Sequence, residues 1–412
     1  MRDYVEIGIG REARRAYNLR DIGIVPARRT RSSKDVDLSW HIDAYTFDIP
    51  FASHPTDALA SPEFVIEMGK QGGLGVIDAE GLWGRHADLD SAIKKVIAPL
   101  IFADPDPMDL RQPGVAELQE LHSAPIDTDL LTERIAQVRD SGVTVAVRVS
   151  PQNARELAPV VVKAGAEILF IQGEIISAEH VQEGGKPLNL KEFIGSLDVP
   201  VIAGGVADYT TALHLMRAGA AGIIVGQGAT TSSVALGIDT HLATQIADAA
   251  AARREYLDET EGRYVHIIAD GDLATSGEIA RGVACGADAV MLGSALAGAA
   301  EAAGRGYYWQ PQTAHPRFPR GTISNAVDGS GFGFGLGWYS TEGDTPADQE
   351  RAREEMLDKI GEGRPSLESI LHGPSTSTWG HSNFVGGLRR AMAKCGYTDI
   401  KSFQKVDIAV AN

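Results

Sequence analysis

Short runs of apolar residues recur along the chain, and most end in Gly, Ser or Asp before a stretch with helical spacing. The runs are apolar almost throughout rather than alternating with polar residues, which is typical of strands buried on both faces. We predict eight strands: Phe47–Ala52, Gly75–Asp78, Val143–Val149, Glu167–Ile171, Val199–Ala203, Ala221–Val225, Tyr264–Ala269 and Ala287–Leu292. Repeated strand–helix units predict an α/β protein with a parallel sheet, and eight units favour a closed (β/α)8 TIM barrel over an open doubly wound sheet.

Two segments interrupt this rhythm. An insertion covers about residues 85–135, and a longer segment follows the last strand over about residues 305–366. The second segment contains a stretch from Gly329 to Gly337 in which Gly alternates with Ser, Phe and Leu. Such a stretch is consistent with a mobile flap that covers a site, and equally with an excursion that has no function. We therefore predict a single barrel domain over residues 1–412 that carries an insertion and a flap.

Composition narrows the class of protein. The chain has 412 residues, of which 43% are hydrophobic and 23% charged, so it can bury a sizeable core. Its formal net charge of −17 argues against nucleic acid and anionic membranes as partners. Cys285 and Cys395 fit neither a disulfide framework nor a zinc site. The sequence also shows no signal-peptide pattern and no apolar run long enough to span a membrane. We predict a cytoplasmic protein without a metal centre.

Small residues and candidate hydrogen-bond donors follow the last two predicted strands. They form three pairs: Asp270-Gly271, Ser276-Gly277 and Gly293-Ser294. Helix N-termini offer free N–H groups to an anion, and barrels commonly bind phosphate in the loops after their last two strands. The pattern predicts a phosphate site, although Gly and Ser also make ordinary turns and caps. Asp270 is either an acceptor for ligand hydroxyls or a helix cap.

The loop after the sixth predicted strand is rich in hydroxyl groups. It reads GQGATTSSVALG from Gly226 to Gly237, and Thr230–Ser233 contributes four consecutive hydroxyl side chains. These hydroxyls suit either hydrogen bonds to a phosphate or a flexible turn with capping residues.

Taken together, six segments resemble the IMP dehydrogenase/GMP reductase family. They are RDIGIVPARRTRSSKDVDLS, FASHPTDALAS with QGGLGVID, VPVIAGGVADYTTALHLMRAGAAGIIVGQG, IIADGDLATSGEIARGVACGADAVMLGSALAG and GGLRRAMAKCGY. The resemblance covers most of the chain. It leaves no room for the regulatory CBS pair that many members carry, so the chain resembles a short subfamily related to IMP dehydrogenase.

The resemblance implies a homotetrameric barrel that binds a purine nucleoside 5′-monophosphate, with NAD or NADP as cofactor. It also implies oxidoreduction of IMP or GMP in guanine nucleotide metabolism. The implied substrate-binding residues are Ser53, Asp270, Gly271, Ser276, Gly277, Gly293 and Ser294. Among these, Asp270 would hold the ribose hydroxyls, and Gly293 and Ser294 the phosphate. The resemblance does not decide whether a monovalent cation binds near Gly226–Gly228.

The nucleophile of the family has no counterpart here. Family dehydrogenases use a Cys in the loop after strand six to attack the purine, pass a hydride to NAD and hydrolyse the resulting thioimidate. In this chain the loop contains no Cys. Counting forward from Gly226 places Ser233 at that position, whereas counting back from Gly237 places Thr230 there. Both are candidate catalytic hydroxyls, and either would need a base to activate it.

Three further positions depart from the family pattern. Gln172 stands where active members carry Asp after strand four; we assign it, with nearby Glu174, to cofactor binding. Gly205 stands where they carry Asn. Asp272 replaces a Gly in the phosphate loop, where a carboxylate would repel phosphate unless it points away.

The segment after the last strand lacks the Arg-Tyr pair with which the family activates water. Arg317 and Arg320 are the nearest candidates for this catalytic role, and each is equally consistent with a phosphate clamp or a solvated turn. Two hypotheses follow. The first is an NAD(P)-dependent purine nucleotide oxidoreductase with altered chemistry. The second is a catalytically inactive nucleotide-binding homologue with a regulatory or assembly role.

Overall fold

The barrel strands form one parallel sheet. The structure, a computed structural model, describes residues 4–102, 112–174, 176, 188–239, 241–326, 346–360, 362–375 and 377–410. The sheet contains β1 (Phe51–Ser53), β2 (Val76–Asp78), β3 (Ala146–Val149), β4 (Ile168–Gln172), β5 (Val201–Val206), β6 (Gly222–Gly226), β7 (His266–Asp270) and β8 (Ala289–Leu292). From β2 to β8 each strand pairs in parallel with the next in sequence, and β8 pairs with β1. A parallel bridge between Ala52 and Leu74 joins the remaining edges, so the predicted (β/α)8 barrel is confirmed.

The helices surround this sheet. Several of them are capped by a polar residue that directly precedes the helix in the sequence. Within the described residues the helices are α1 (Pro62–Lys70), α2 (Leu89–Phe102), α3 (Val115–His122), α4 (Thr128–Asp140), α5 (Ala154–Ala164), α6 (Leu190–Gly195), α7 (Tyr209–Arg217), α8 (Ser232–Ala235), α9 (Leu242–Glu259), α10 (Ser276–Ala284), α11 (Pro346–Lys359), α12 (Leu367–His372), α13 (Phe384–Lys394) and α14 (Ile400–Phe403). The side chains of Ser61, Asp127 and Asp208 accept hydrogen bonds from first-turn N–H groups of α1, α4 and α7.

A hairpin closes the N-terminal end of the barrel. Its strands, Trp40–Ile42 and Tyr45–Phe47, pair antiparallel and pack against the interior side chains at the strand starts. The predicted run Phe47–Ala52 is therefore divided, because Phe47 belongs to the hairpin and β1 begins only after Pro50, which has no N–H to donate. Since apolar side chains fill this end, the polar side chains of the barrel gather at the carboxyl ends of the strands.

The remaining described elements are short. Antiparallel pairs join Tyr4–Gly8 with Arg11–Arg14, Ile22–Ile24 with Ile408–Val410, and Tyr307–Tyr308 with Ser324–Asn325. Single 3-10 turns span Leu19–Asp21, Ser33–Asp35, Leu82–Gly84, Ser294–Leu296 and Pro311–Ala314. Helices α2 and α3 lie within the predicted insertion, whereas the glycine-rich stretch from Gly329 to Gly337 lies outside the described residues. The flap and the single-domain organisation stay predictions.

Candidate functional site

Asp270 lies at the centre of the barrel mouth, the end of the barrel formed by the carboxyl ends of the strands. It is the last residue of β7, and only 2% of its surface is exposed. Gln172, at the end of β4, donates from Nε2 to Asp270 Oδ2 at 3.0 Å, and His54 Nε2 lies 3.4 Å from the same oxygen. Thr275, rather than Asp270, caps α10. The carboxylate is therefore held for contacts inside the mouth.

Several buried polar atoms near Asp270 have no hydrogen-bond partner within the described part of the chain. These atoms are His54 Nδ1, Gln172 Oε1, Gln227 Nε2 and Gln310 Oε1. A buried polar group without a partner costs about 1–3 kcal/mol, so such groups usually meet a ligand or a water molecule. The mouth thus offers unpartnered polar atoms around the buried Asp270 carboxylate.

Glycines allow the loops to approach each other closely at this mouth. A Cβ atom added to Gly228 would lie 2.5 Å from Gln310 Nε2 and 3.3 Å from Asp270 Oδ1, so the loop after β6 touches both side chains. A Cβ atom on Gly205 would collide with the carbonyl oxygen of Gly226. The backbone at the end of β6 therefore takes the space that a side chain at this position would need.

A buried ion cluster lies beneath Gln172. Arg148 Nη1 donates to both oxygens of Asp78, at 3.0 and 3.2 Å, and to Glu80 at 3.2 Å. Its Nε and Nη2 donate to the carbonyl oxygen of Gln172 at 3.0 and 2.7 Å. Burial opposes the charge of Glu80, but Arg148 and the hydrogen bonds from Asn153 and Ser150 outweigh it and lower the pKa of that carboxyl. Arg148 therefore fixes the backbone from which Gln172 reaches Asp270.

A second polar cluster joins the loops after β4 and β6 to the segment after β8. Glu174, with 7% of its side chain exposed, forms an ion pair with Arg320 and accepts the hydroxyl hydrogen of Ser232. Ser232 is fully buried. The backbone N–H of Thr231 also donates to the carbonyl oxygen of Arg320, at 3.4 Å. Both oxygens of Glu174 are thus engaged by the chain itself.

The candidate catalytic residues of the sequence occupy different places. Ser233 is exposed on α8, because one residue along a helix turns the side chain by about 100° relative to Ser232. Thr230 is half-buried, and its hydroxyl accepts the N–H of Ser232 at 3.2 Å. Arg317 is exposed, whereas Arg320 reaches the cluster. Within the loop after β6, the hydroxyl that contacts a carboxylate is therefore that of Ser232, which counting along the sequence missed.

The predicted phosphate-binding residues flank the mouth, at the end of β8 and the start of α10. Ser294 donates its hydroxyl hydrogen to Asp272 Oδ1 at 2.7 Å. The Ser276 N–H donates to the carbonyl oxygen of Gly380 at 2.9 Å, and Gly277 follows exposed in the first turn of α10. Gly293 faces the hydroxyl of Tyr308 so closely that a Cβ atom would collide with it.

Two other residues predicted to bind substrate, Ser53 and Gly271, instead contact neighbouring parts of the barrel. The Ser53 hydroxyl accepts the N–H of Val76 at 3.1 Å, which ties β1 to β2 at the closing edge of the barrel. Gly271 packs against Leu242, and a Cβ atom there would lie 2.5 Å from its side chain. Neither contact reaches the unpartnered polar atoms described above.

Neither cysteine lies near the mouth. Cys285 and Cys395 follow the C-terminal ends of α10 and α13, two helices whose N-terminal ends meet where Gly387 packs on Ser276. Burial raises the pKa of the Cys285 thiol to about 11. Among the described residues, no three His, Cys, Asp or Glu side chains are grouped as metal ligands, and no helix is long and apolar enough to cross a membrane.

Known proteins resemble this chain over nearly its whole length. A family model described as "IMP dehydrogenase / GMP reductase domain" matches residues 16–411. An uncharacterized oxidoreductase of Mycobacterium leprae is 54% identical over 99% of this chain and 100% of its own length. The inosine-5′-monophosphate dehydrogenase of Methanocaldococcus jannaschii is 25% identical over 96% of this chain and 92% of its own. A crystal structure of an IMP dehydrogenase/GMP reductase-like protein from Corynebacterium glutamicum shares 63% identity with a TM-score of 0.86, over 99% of this chain and 98% of that one.

Proposed function

This chain belongs to the IMP dehydrogenase/GMP reductase family, and from that premise we propose that it is an NAD(P)-dependent oxidoreductase of purine nucleotides or their nucleosides. The observation that carries the proposal is the buried Asp270 carboxylate, surrounded by unpartnered polar atoms at the barrel mouth. Homotetrameric assembly and a role in guanine nucleotide metabolism are parts of the same proposal, because they rest on the family.

The chemistry of the mouth suits a ribose with a heteroaromatic base. The two hydroxyls of a ribose are donors, and the Asp270 carboxylate is an acceptor that can receive both. The base of a purine carries donors and acceptors along its edge. Among the described residues, Gln310 Oε1 is a buried acceptor without a partner and Gln227 Nε2 a buried donor without one, and both can serve such an edge. Each new hydrogen bond would satisfy a buried group that is costly to leave alone.

Of the two residues predicted to bind the nicotinamide cofactor, Gln172 and Glu174, only Gln172 has a polar atom that suits it. Gln172 has an unpartnered buried acceptor, which suits the amide hydrogens of a nicotinamide carboxamide. Glu174 does not fit this role, because Arg320 and Ser232 already engage its two oxygens. When bound, the cofactor supplies or accepts the hydride of the reaction.

Ser232 and Glu174 are the residues we assign to proton transfer. Oxidation of IMP by loss of a hydride also requires water to add to the purine carbon and to release its protons, and reduction of GMP by a hydride requires protons as ammonia leaves. The Ser232 hydroxyl is already hydrogen-bonded to the Glu174 carboxylate, so it can pass a proton to or from that base. Arg320 compensates the charge of Glu174 in the buried cluster.

Enzyme assays with matched variants test this proposal. We expect NADH formation with IMP or NADPH consumption with GMP, and we expect Ser232→Ala to lower turnover by about 100- to 10,000-fold. Ser233→Ala is the matched control, because it removes an exposed hydroxyl from the same helix and should retain wild-type turnover. Equal turnover in both variants would refute the role of Ser232. Calorimetric binding of purines without any turnover would favour the non-catalytic homologue, which the missing Cys of the loop also favours.

A further inference from the structure

Groups of the chain itself occupy the predicted phosphate subsite. Ser294, predicted to donate its hydroxyl to phosphate, donates it instead to Asp272 Oδ1 at 2.7 Å. Asp272 lies two residues after Asp270 and directly in the loop that leads from β7 to α10. The carboxylate is exposed to solvent at the mouth. A dianionic phosphate placed against Ser294 would therefore meet a negative charge already in position.

Two first-turn N–H groups of α10 are likewise bound by acceptors of the chain itself. The Ser276 N–H donates to the carbonyl oxygen of Gly380, and the Glu278 N–H donates to the Thr275 hydroxyl at 3.2 Å. The Glu278 carboxylate in turn accepts the N–H groups of Ala274 and Thr275, at 3.0 and 3.2 Å. These are groups that would otherwise make a helix N-terminus attractive to an anion.

The charges around this subsite are mainly negative. Asp270, Asp272 and Glu278 contribute carboxylates, and Arg20 pairs with Glu278 at 3.2 Å from a side chain that is 83% exposed. Tyr308, whose hydroxyl faces Gly293, is held neutral: burial first, and then the charges of Asp270 and Asp272, raise its pKa well above the usual range. The carboxylates suit a hydroxyl better than a phosphate, whereas the Tyr308 hydroxyl can donate its hydrogen to either.

We propose that the ligand of this site presents a hydroxyl rather than a phosphate at its 5′ position, and that Asp272 determines this specificity. A nucleoside 5′-hydroxyl can donate its hydrogen to the Asp272 carboxylate, whereas a 5′-phosphate would bring like charges together. The inference rests on the proposed function, since it assumes a purine ribose held by Asp270. It changes the expected substrate class from purine nucleotides to purine nucleosides.

Calorimetry tests this specificity with inosine and guanosine against IMP and GMP, on the full chain and its variants. The wild type is expected to bind the nucleosides more tightly than the monophosphates. Asp272→Asn, which keeps the shape and removes the charge, should lower the Kd of the monophosphates by about 5- to 30-fold, as expected for one charge acting on a phosphate near solvent. Because Asp272 is exposed, the preference should also weaken as salt is raised.

Two further variants make the result decisive. Asp272→Gly restores the small residue of the family pattern. It should also lower the Kd of the monophosphates, and it replaces Asp272→Asn as the test if the Asn amide disturbs the loop. Asp258→Asn is the charge control, because this exposed carboxylate near the end of α9 lies at the opposite end of the barrel. It changes the net charge equally and should leave the nucleoside-to-monophosphate ratio of Kd values unchanged.

The outcomes separate this inference from the proposed function. Tighter binding of monophosphates by the wild type would overturn the inference and leave the proposed function in place. A ratio of Kd values that neither Asp272 variant alters would also overturn it. Failure of the wild type to bind any of the four purines would remove the proposed function itself, and the inference with it.

Discussion

Arg148→Met removes a buried cation that neutralises two carboxylates beneath the barrel mouth. In the wild type, the exposed fractions of the side chains are 10% for Arg148, 4% for Asp78 and 14% for Glu80, and the guanidinium contacts both carboxylates at 3.0–3.2 Å. Methionine has a similar length but no charge, so both carboxylates lose their counterion in a site with little access to water. The carbonyl oxygen of Gln172 also loses two donors.

The expected loss of stability is large. Leaving a buried charge without its partner costs about 3–5 kcal/mol. An unfolding entropy of about 2.1 cal/mol/K per residue over 412 residues converts this loss to a decrease in Tm of roughly 3–6 °C. Differential scanning calorimetry measures it. Arg254→Met is the control, because Arg254 is exposed on α9 and its replacement should change stability by less than about 0.5 kcal/mol.

The pH dependence gives a second, independent readout of the same variant. Burial already raises the folded-state pKa of Asp78 above its ordinary value, and without Arg148 that pKa rises further, while Glu80 loses the positive charge that offsets its burial. Stability is then retained at low pH, where both carboxyls are protonated, and is lost as pH rises through the folded pKa values. The Tm deficit relative to wild type should therefore be larger at about pH 8 than at about pH 5. A deficit below about 1 °C at both values, or one that shrinks as pH rises, would refute the reasoning.

Two further predictions concern the thiol and the loop after β6. With a pKa of about 11, only about 0.1% of Cys285 is thiolate at pH 8, so iodoacetamide should label it far more slowly in the native than in the unfolded protein; rapid native labelling, detected by mass spectrometry, would contradict this. Gly228→Ala should weaken purine binding by about tenfold or more, because its Cβ atom would push against Gln310 at 2.5 Å. Gly237→Ala is its matched control: φ is +67° against +68° at Gly228, but nothing lies within 4 Å of the added atom, so only the shared backbone strain remains. Equal purine affinity in the two variants would show that the contact with Gln310 is unimportant.

The sequence alone determined the barrel and one edge of its site. Strands buried on both faces require unbroken apolar runs, so each of the eight runs could be recognised without knowledge of its partners. The end of a run also marks the end of a strand. Asp270 at the end of its run was thereby placed at the carboxyl edge of the sheet, where the structure has it.

Only the tertiary structure decided which groups meet at that edge. Gln172 and Asp270 are 98 residues apart, and Glu174 lies 58 residues from Ser232 and 146 from Arg320. Such contacts arise when closure of the barrel brings loop ends together, and neither periodicity nor composition records them. The same holds for Asp272. Its position in the sequence predicted repulsion between its carboxylate and a phosphate, but only the folded structure shows that the carboxylate accepts a hydrogen bond from Ser294.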